Sequence, residues 1–117
     1  MTTTRRQAAL ARLRDQYARA RTELADLGYV LQGSVTERRL PCGKAQCACT
    51  TDQQAWHGPY LQWSRKKGGR TVSTYLLPEQ AILCRQWIQN NRKLEKIITR
   101  MRELSRRVAR LHDIRTI

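Results

Sequence analysis

Three cysteines and a histidine, Cys42, Cys47, Cys49 and His57, stand in one short central stretch of this 117-residue chain. They read C-x4-C-x-C-x7-H and run directly into Gly58-Pro59-Tyr60. Thiolate sulfur and imidazole nitrogen are the donors zinc prefers, and four of them complete a tetrahedral shell. Pro41 and Gly43 bracket the first donor, and Gly58-Pro59 turn the chain after the last. Such residues let a loop wrap closely round an ion. Four protein donors leave no open coordination position, so the expected cofactor is a structural zinc, with plain reduced thiols in a loop as the alternative. Cys84 is an alternative fourth donor to His57, but beside an apolar helical stripe it reads more simply as a small buried residue.

Catalytic patterns are thin around this cluster. A nucleobase deaminase needs H-x-E with P-C-x-x-C, and beyond Pro41-Cys42 the elements are missing. A two-metal nuclease needs clustered carboxylates, whereas residues 38–78 hold only Asp52. A cysteine nucleophile paired with His57 is conceivable, yet three crowded thiols suit ligation better. The expectation is a non-enzymatic protein with no small-molecule substrate.

The flanking segments must position the cluster. Residues 5–27 carry Leu10, Leu13, Tyr17, Ala20, Leu24 and Leu27 in alternating steps of three and four, the seam of a coiled-coil-like helix. Gly28 is a natural stop. A longer helix is expected over 78–112, with Pro78 and Glu79 suited to its first turn. Its seam is Leu83, Trp87, Asn90, Leu94, Ile97, Met101, Leu104, Val108 and Leu111, with Asn90 as a register-fixing polar entry. Between the helices lie a metal-binding loop, 33–60, and a two-stranded β-hairpin, 60–77, turning at Lys66-Lys67-Gly68-Gly69-Arg70. Leu61 and Trp63 share one face of it, with Val72, Thr74 and Leu76 alternating on the second strand. The fold class is α+β, mainly α: a single domain over 1–117 with a long N-terminal helix, a zinc-stapled loop, a hairpin and a long C-terminal coiled-coil-like helix. The shorter first helix would leave the C-terminal turns of the second uncovered, which argues for a homodimer.

Composition narrows the partners. The net charge is +14, spread as +4 over residues 1–41 (8 basic, 4 acidic), +4 over 42–78 (5 basic, 1 acidic) and +6 over 79–117 (10 basic, 4 acidic). Such an excess repels itself unless a polyanion neutralises it, and the predominance of arginine suits bidentate phosphate contacts. The hairpin offers Tyr60, Trp63, Arg65, Lys66, Lys67 and Arg70 as a stacking platform with a basic rim, with Tyr75 nearby and Lys44 in the metal loop. On the long helix, Arg92, Lys93, Lys96, Arg100 and Arg107 are candidate phosphate contacts. A plain solvated surface is the bland alternative for the helix cations, and a packing role is the alternative for Trp63. No apolar run approaches the ~18 residues of a membrane span. Arg and Asp occupy the early positions where a secretory leader would be apolar, so a cytoplasmic setting with reduced thiols is expected.

With Gly33-Ser34, Cys42-Gly43-Lys44, Cys47-x-Cys49 and His57-Gly58-Pro59-Tyr60 in place, residues 33–98 resemble a family of small bacterial and archaeal proteins marked by CGK-x2-C-x-C and a downstream HGPY. That family is a domain of unknown function, sometimes found among mobile-element genes. The resemblance implies that the three cysteines and His57 act as a set, supported by Lys44, Gly58, Pro59 and Tyr60. Ala48 and Leu61 depart from the family's Arg and aromatic, which weakens a phosphate or base contact there. The expected function is a nucleic-acid-binding accessory protein, for RNA or DNA, with structural zinc, serving a mobile element or ribonucleoprotein. The alternative is a coiled-coil adaptor for protein partners.

Overall fold

Heptad rows of apolar residues at both ends of the chain fold as helices, α1 (Thr3–Ala25) and α2 (Pro78–Leu111), in a computed structural model that describes residues 3–113. At ~1.5 Å per residue they are about 35 and 50 Å long. Helix α1 stops before Gly28, closing through the amide of Leu27 to the carbonyl of Leu24. The chain divides into two compact units: residues 3–30 with 90–113, and residues 31–89. Helix α2 is shared, its first turns in the second unit and the rest in the first.

In the helical unit, α1 and α2 run antiparallel. Arg6 meets His112 at 3.2 Å, Glu23 pairs with Arg100, and Asn90 Nδ2 donates to the Tyr29 carbonyl at 2.8 Å. Leu13 and Ala20 of α1 and Ile97 and Leu104 of α2 are buried, one heptad apart in each helix. Half-buried Leu10, Tyr17, Leu24, Leu94, Met101 and Val108 fill the alternate seam positions. The C-terminal turns of α2 are therefore covered by the start of α1, not left bare as the difference in length suggested. The unmatched part of α2 is its beginning, where Ala81, Cys84 and Ile88 are buried and the expected seam residue Leu83 is 47% exposed. Asn90 is satisfied by the turn after α1, and this is the physical reason a polar residue interrupts the apolar row.

The second unit holds a three-stranded antiparallel sheet in the order β1-β2-β3: β1 (Ser34–Leu40), β2 (His57–Lys67) and β3 (Arg70–Leu76). The expected two-stranded hairpin is β2–β3, closed by a Lys67–Arg70 pair with Gly68 at φ 58° and Gly69 at φ 79°. Such glycines match the right-handed twist of the flanking strands. Strand β1 is the correction. It occupies the first part of the expected metal loop and pairs along β2, Val35 opposite Trp63 and Glu37 opposite Leu61. A Glu-Arg-Arg run has no apolar alternation to announce a strand, but charge is common on an edge, where it discourages pairing with other chains.

The pleat sorts the side chains. Val35, Leu61, Trp63, Arg65, Val72 and Leu76 share one face and are half-buried. Trp63 Nε1 donates to the Gln32 carbonyl at 2.8 Å, and the Arg65 guanidinium lies 3.8 Å over the indole. Gly33 fits against this tryptophan only because it lacks a side chain. Its φ is 114°, and a Cβ there would overlap the Ser64 carbonyl and come within 2.8 Å of Trp63 Nε1. Gly33→Ala should lower stability by at least about 2 kcal/mol, combining a strained dihedral with a clash against backbone. Urea denaturation followed by tryptophan fluorescence measures it. A loss within the ~0.5 kcal/mol of an ordinary surface change would contradict this tight fit.

Candidate functional site

Strand register brings the donors together. Leu40, the last residue of β1, pairs with His57, the first of β2, across an irregularity between Arg38 and Leu40. Cys42 therefore starts beside the end that His57 closes. The connecting loop returns Cys47 and Cys49 to the same point through a short 3-10 turn, Ala48–Thr50, with Cys47 as its N-cap. Local bonds hold that turn: the Cys47 amide and Thr50 hydroxyl both donate to the Lys44 carbonyl, at 3.1 and 2.9 Å. A second turn, Gln53–Ala55, is capped by Asp52 accepting from the Gln54 amide at 2.9 Å. Arg39 then donates to the Trp56 carbonyl at 3.1 Å, tying the loop's exit to β1. Gly58, at φ 125°, lies so close to β1 that a Cβ would come within 2.8 Å of the Arg38 carbonyl.

The four donor atoms lie within 4.8 Å of one another. Cys42 and Cys49 sulfurs are 3.5 Å apart, and Cys47 Sγ is 3.3 Å from His57 Nε2. Metal–sulfur bonds of ~2.3 Å and metal–nitrogen bonds of ~2.0 Å set tetrahedral ligands ~3.5–3.8 Å apart, so the set has the dimensions of a metal site. Cys84 is buried on α2 and is not among these donors; His57 is. The four cysteines are free thiols.

Electrostatics within the cluster favours ligation at one corner. The Cys49 backbone amide, with the His57 ring and the other two thiols, holds the Cys47 thiol down to about 6, against a weaker opposing effect of burial. A thiol so lowered is largely thiolate at neutral pH, the form that binds metal. The Cys42 amide donates to Cys49 Sγ at 3.3 Å and pulls that thiol down, but burial and the neighbouring thiols outweigh it and raise Cys49. An amide donating to a ligand sulfur is an outer-shell contact of the kind that orients metal ligands.

The expected nucleic-acid residues fall in several places. Trp63 and Arg65 stack on each other on the half-buried face of the sheet. Tyr60 is on the opposite face with Tyr75, ring centroids 5.9 Å apart and edge-on. Lys66 joins that opposite face and donates to the Thr71 hydroxyl at 2.9 Å, while Lys67 and Arg70 flank the hairpin turn. Lys44 and Ala48 are both exposed in the loop between β1 and β2. Leu61, the other departure from the resembled family, points to the half-buried face.

In the helical unit, Lys93, Lys96, Arg100 and Arg107 line one flank of the helix pair, where three adjoining hollows of about 850, 410 and 360 Å³ form a groove. Arg92 is exposed on α2 outside its lining. Arg12 and Arg19 of α1 and Arg110 of α2 complete the groove's basic lining, against Glu23, Asp26 and Glu103. Glu23 is already paired with Arg100. Arg110 lies among the basic residues that flank the α2 seam in the sequence, whereas the two α1 arginines were not foreseen. Their signal was the heptad step between Arg12 and Arg19, which puts both on one stripe of α1.

A two-helix pair and a three-stranded antiparallel sheet bearing a Cys3His cluster define an α+β protein with a possible metal centre. The chain belongs to the family DUF6788, a domain of unknown function, which matches residues 4–86. The match takes in helix α1, which the resemblance over 33–98 left outside, and ends within α2. No curated protein and no solved structure matches the chain. Among the described residues, no helix is long and apolar enough to cross a membrane.

Proposed function

We propose that this protein is a non-enzymatic nucleic-acid-binding protein whose second unit is fastened by a structural zinc. The observation that carries the reading is the groove along the helix pair. Lys93, Lys96, Arg100 and Arg107 recur on one stripe of α2, and Arg12 and Arg19 face them from α1. From 93 to 107 the helix rises about 20 Å, the length of some six base pairs or as many strand phosphates. Arginines and lysines at that spacing neutralise phosphates and release their counterions, which answers the self-repulsion of a +14 chain.

Zinc is the metal proposed, because three thiolates and one imidazole at tetrahedral spacing suit a soft-to-borderline ion with no geometric preference of its own. When bound, it supplies cross-linking, not chemistry: all four positions are taken by protein. The chain's own residues hold the loop in the ligating shape beforehand through the Lys44, Asp52 and Arg39 contacts.

Gel shifts with duplex and single-stranded probes across rising salt test the reading, alongside native mass spectrometry for metal stoichiometry. Affinity should fall linearly on a log–log plot against salt, with one zinc per chain. Binding insensitive to salt, or absent at low salt, contradicts it and favours an adaptor that uses the helices on a protein partner.

A further inference from the structure

Alternation along the three strands leaves one sheet face largely exposed around a buried Gln62 at its centre, and its composition is unlike the rest of the unit. Tyr60 and Tyr75 sit diagonally on adjacent strands of that face, since Tyr75 pairs with Gln62, two residues beyond Tyr60. Diagonal neighbours lie within reach of aromatic side chains, and these two meet edge to face at 63°. An edge-to-face contact covers one face of one ring, so Tyr75, at 63% exposure, keeps a ring face to water. The charged side chains on this face are Arg38, opposite Tyr60, and Lys66. Glu37, the acidic residue of the strands, belongs to the other face. A row of hydroxyls, Ser34, Ser64 and Ser73, crosses all three strands in register, with Ser64 and Ser73 2.8 Å apart.

Aromatic faces, cations and an absence of carboxylates form a surface complementary to a flexible polyanion with exposed rings. We infer that this open sheet face binds single-stranded RNA: unpaired bases stack on the Tyr60–Tyr75 pair, and Arg38 and Lys66 hold the phosphates. Stacking needs unpaired bases, because in a duplex the ring faces are already covered by their neighbours. Ribose is favoured over deoxyribose because the 2′-hydroxyl both donates and accepts, and the serine row offers groups of the same dual capacity. The inference rests on the nucleic-acid reading above and adds a second surface with its own ligand. Trp63, the aromatic residue that sequence reasoning placed in the same platform, faces the other way and takes no part.

Fluorescence anisotropy with a labelled single-stranded RNA of ~12 nucleotides, the same sequence as DNA, and an RNA duplex tests it. Tyr75→Ala should weaken single-strand binding by about tenfold, the size of one lost base stack, with duplex affinity and metal content unchanged. Tyr75→Phe should keep the parent's affinity, since the ring is retained. The parent should bind the RNA strand more tightly than the DNA strand. Parent-like RNA affinity in Tyr75→Ala, or equal affinity for RNA and DNA, overturns the inference. If Tyr75→Ala binds normally while charge reversal at Lys96 and Arg107 removes binding, the strand lies on the helices and only the sheet-face inference fails. A parent that binds none of the three probes at low salt overturns this inference and the proposed function together.

Discussion

Cys47→Ser should abolish metal binding and lower the stability of the sheet unit by several kcal/mol, the largest single effect expected in this protein. The choice of cysteine matters. Cys49 is 2% exposed, so replacing it would remove packing as well as a ligand. Cys47 is only half-buried, so little packing is lost with its sulfur. Serine's hydroxyl does not ionise near neutral pH, whereas the Cys47 thiol is held down to about 6 and presents a thiolate. Removing that ligand leaves three donors on a loop whose remaining ties are two short 3-10 turns and a few side-chain bonds. Metal affinity in such small sites is folding free energy, so its loss appears directly in thermal melting. Incubation of the parent with a strong chelator should reproduce the shift. Cys84→Ser supplies the contrast: Cys84 is buried on α2 and is not one of the clustered donors, so this variant should keep one metal per chain while losing some packing. Native mass spectrometry and calorimetry on the three proteins decide the matter. A Cys47→Ser protein that melts with the parent would show that the donors do not fasten the loop.

The double substitution Lys96→Glu with Arg107→Glu should reduce affinity for duplex nucleic acid by at least about 100-fold near 100 mM salt. Both side chains line the groove on the helix pair, and the change replaces two attractions by two repulsions. Each phosphate contact contributes about 0.9 to the slope of log affinity against log salt, so the slope should fall by about two. Folding should survive. Glutamate at 96 gains Arg100 one turn on, a favourable order along a helix, and glutamate at 107 sits one turn after Glu103, at a cost of a few tenths of a kcal/mol. Circular dichroism checks this. Arg92→Glu is the matched control, an exposed cation on the same helix outside the groove, and its effect should be several-fold smaller. If the double variant binds like the parent, phosphates do not follow this groove.

Sequence and structure agree where one residue type fixes its own surroundings. The helices were legible because apolar residues recur in threes and fours over many turns, a period no other regular structure shares. The Lys67-Gly68-Gly69-Arg70 turn was legible because positive φ nearly requires glycine. The donor set was legible because crowded cysteines with a histidine have few other uses in one short loop. Strand β1 was not, since its residues 37–39 are charged and its pairing depends on β2, some twenty residues away.

By itself, then, the order of amino acids determined the two helices and the β2–β3 hairpin, their approximate ends, the chemistry of the central donors and the surplus of positive charge. Tertiary structure decided the rest: that Leu40 pairs with His57 and so gathers the four donors, that strand β1 completes the sheet, that Trp63 and Tyr60 face opposite ways, and that α1 covers the end of α2 instead of leaving it bare. The division has a physical cause. Local preferences depend on neighbours in the chain, whereas strand register, face and groove depend on which distant surfaces are buried together. That is settled only when the whole chain packs.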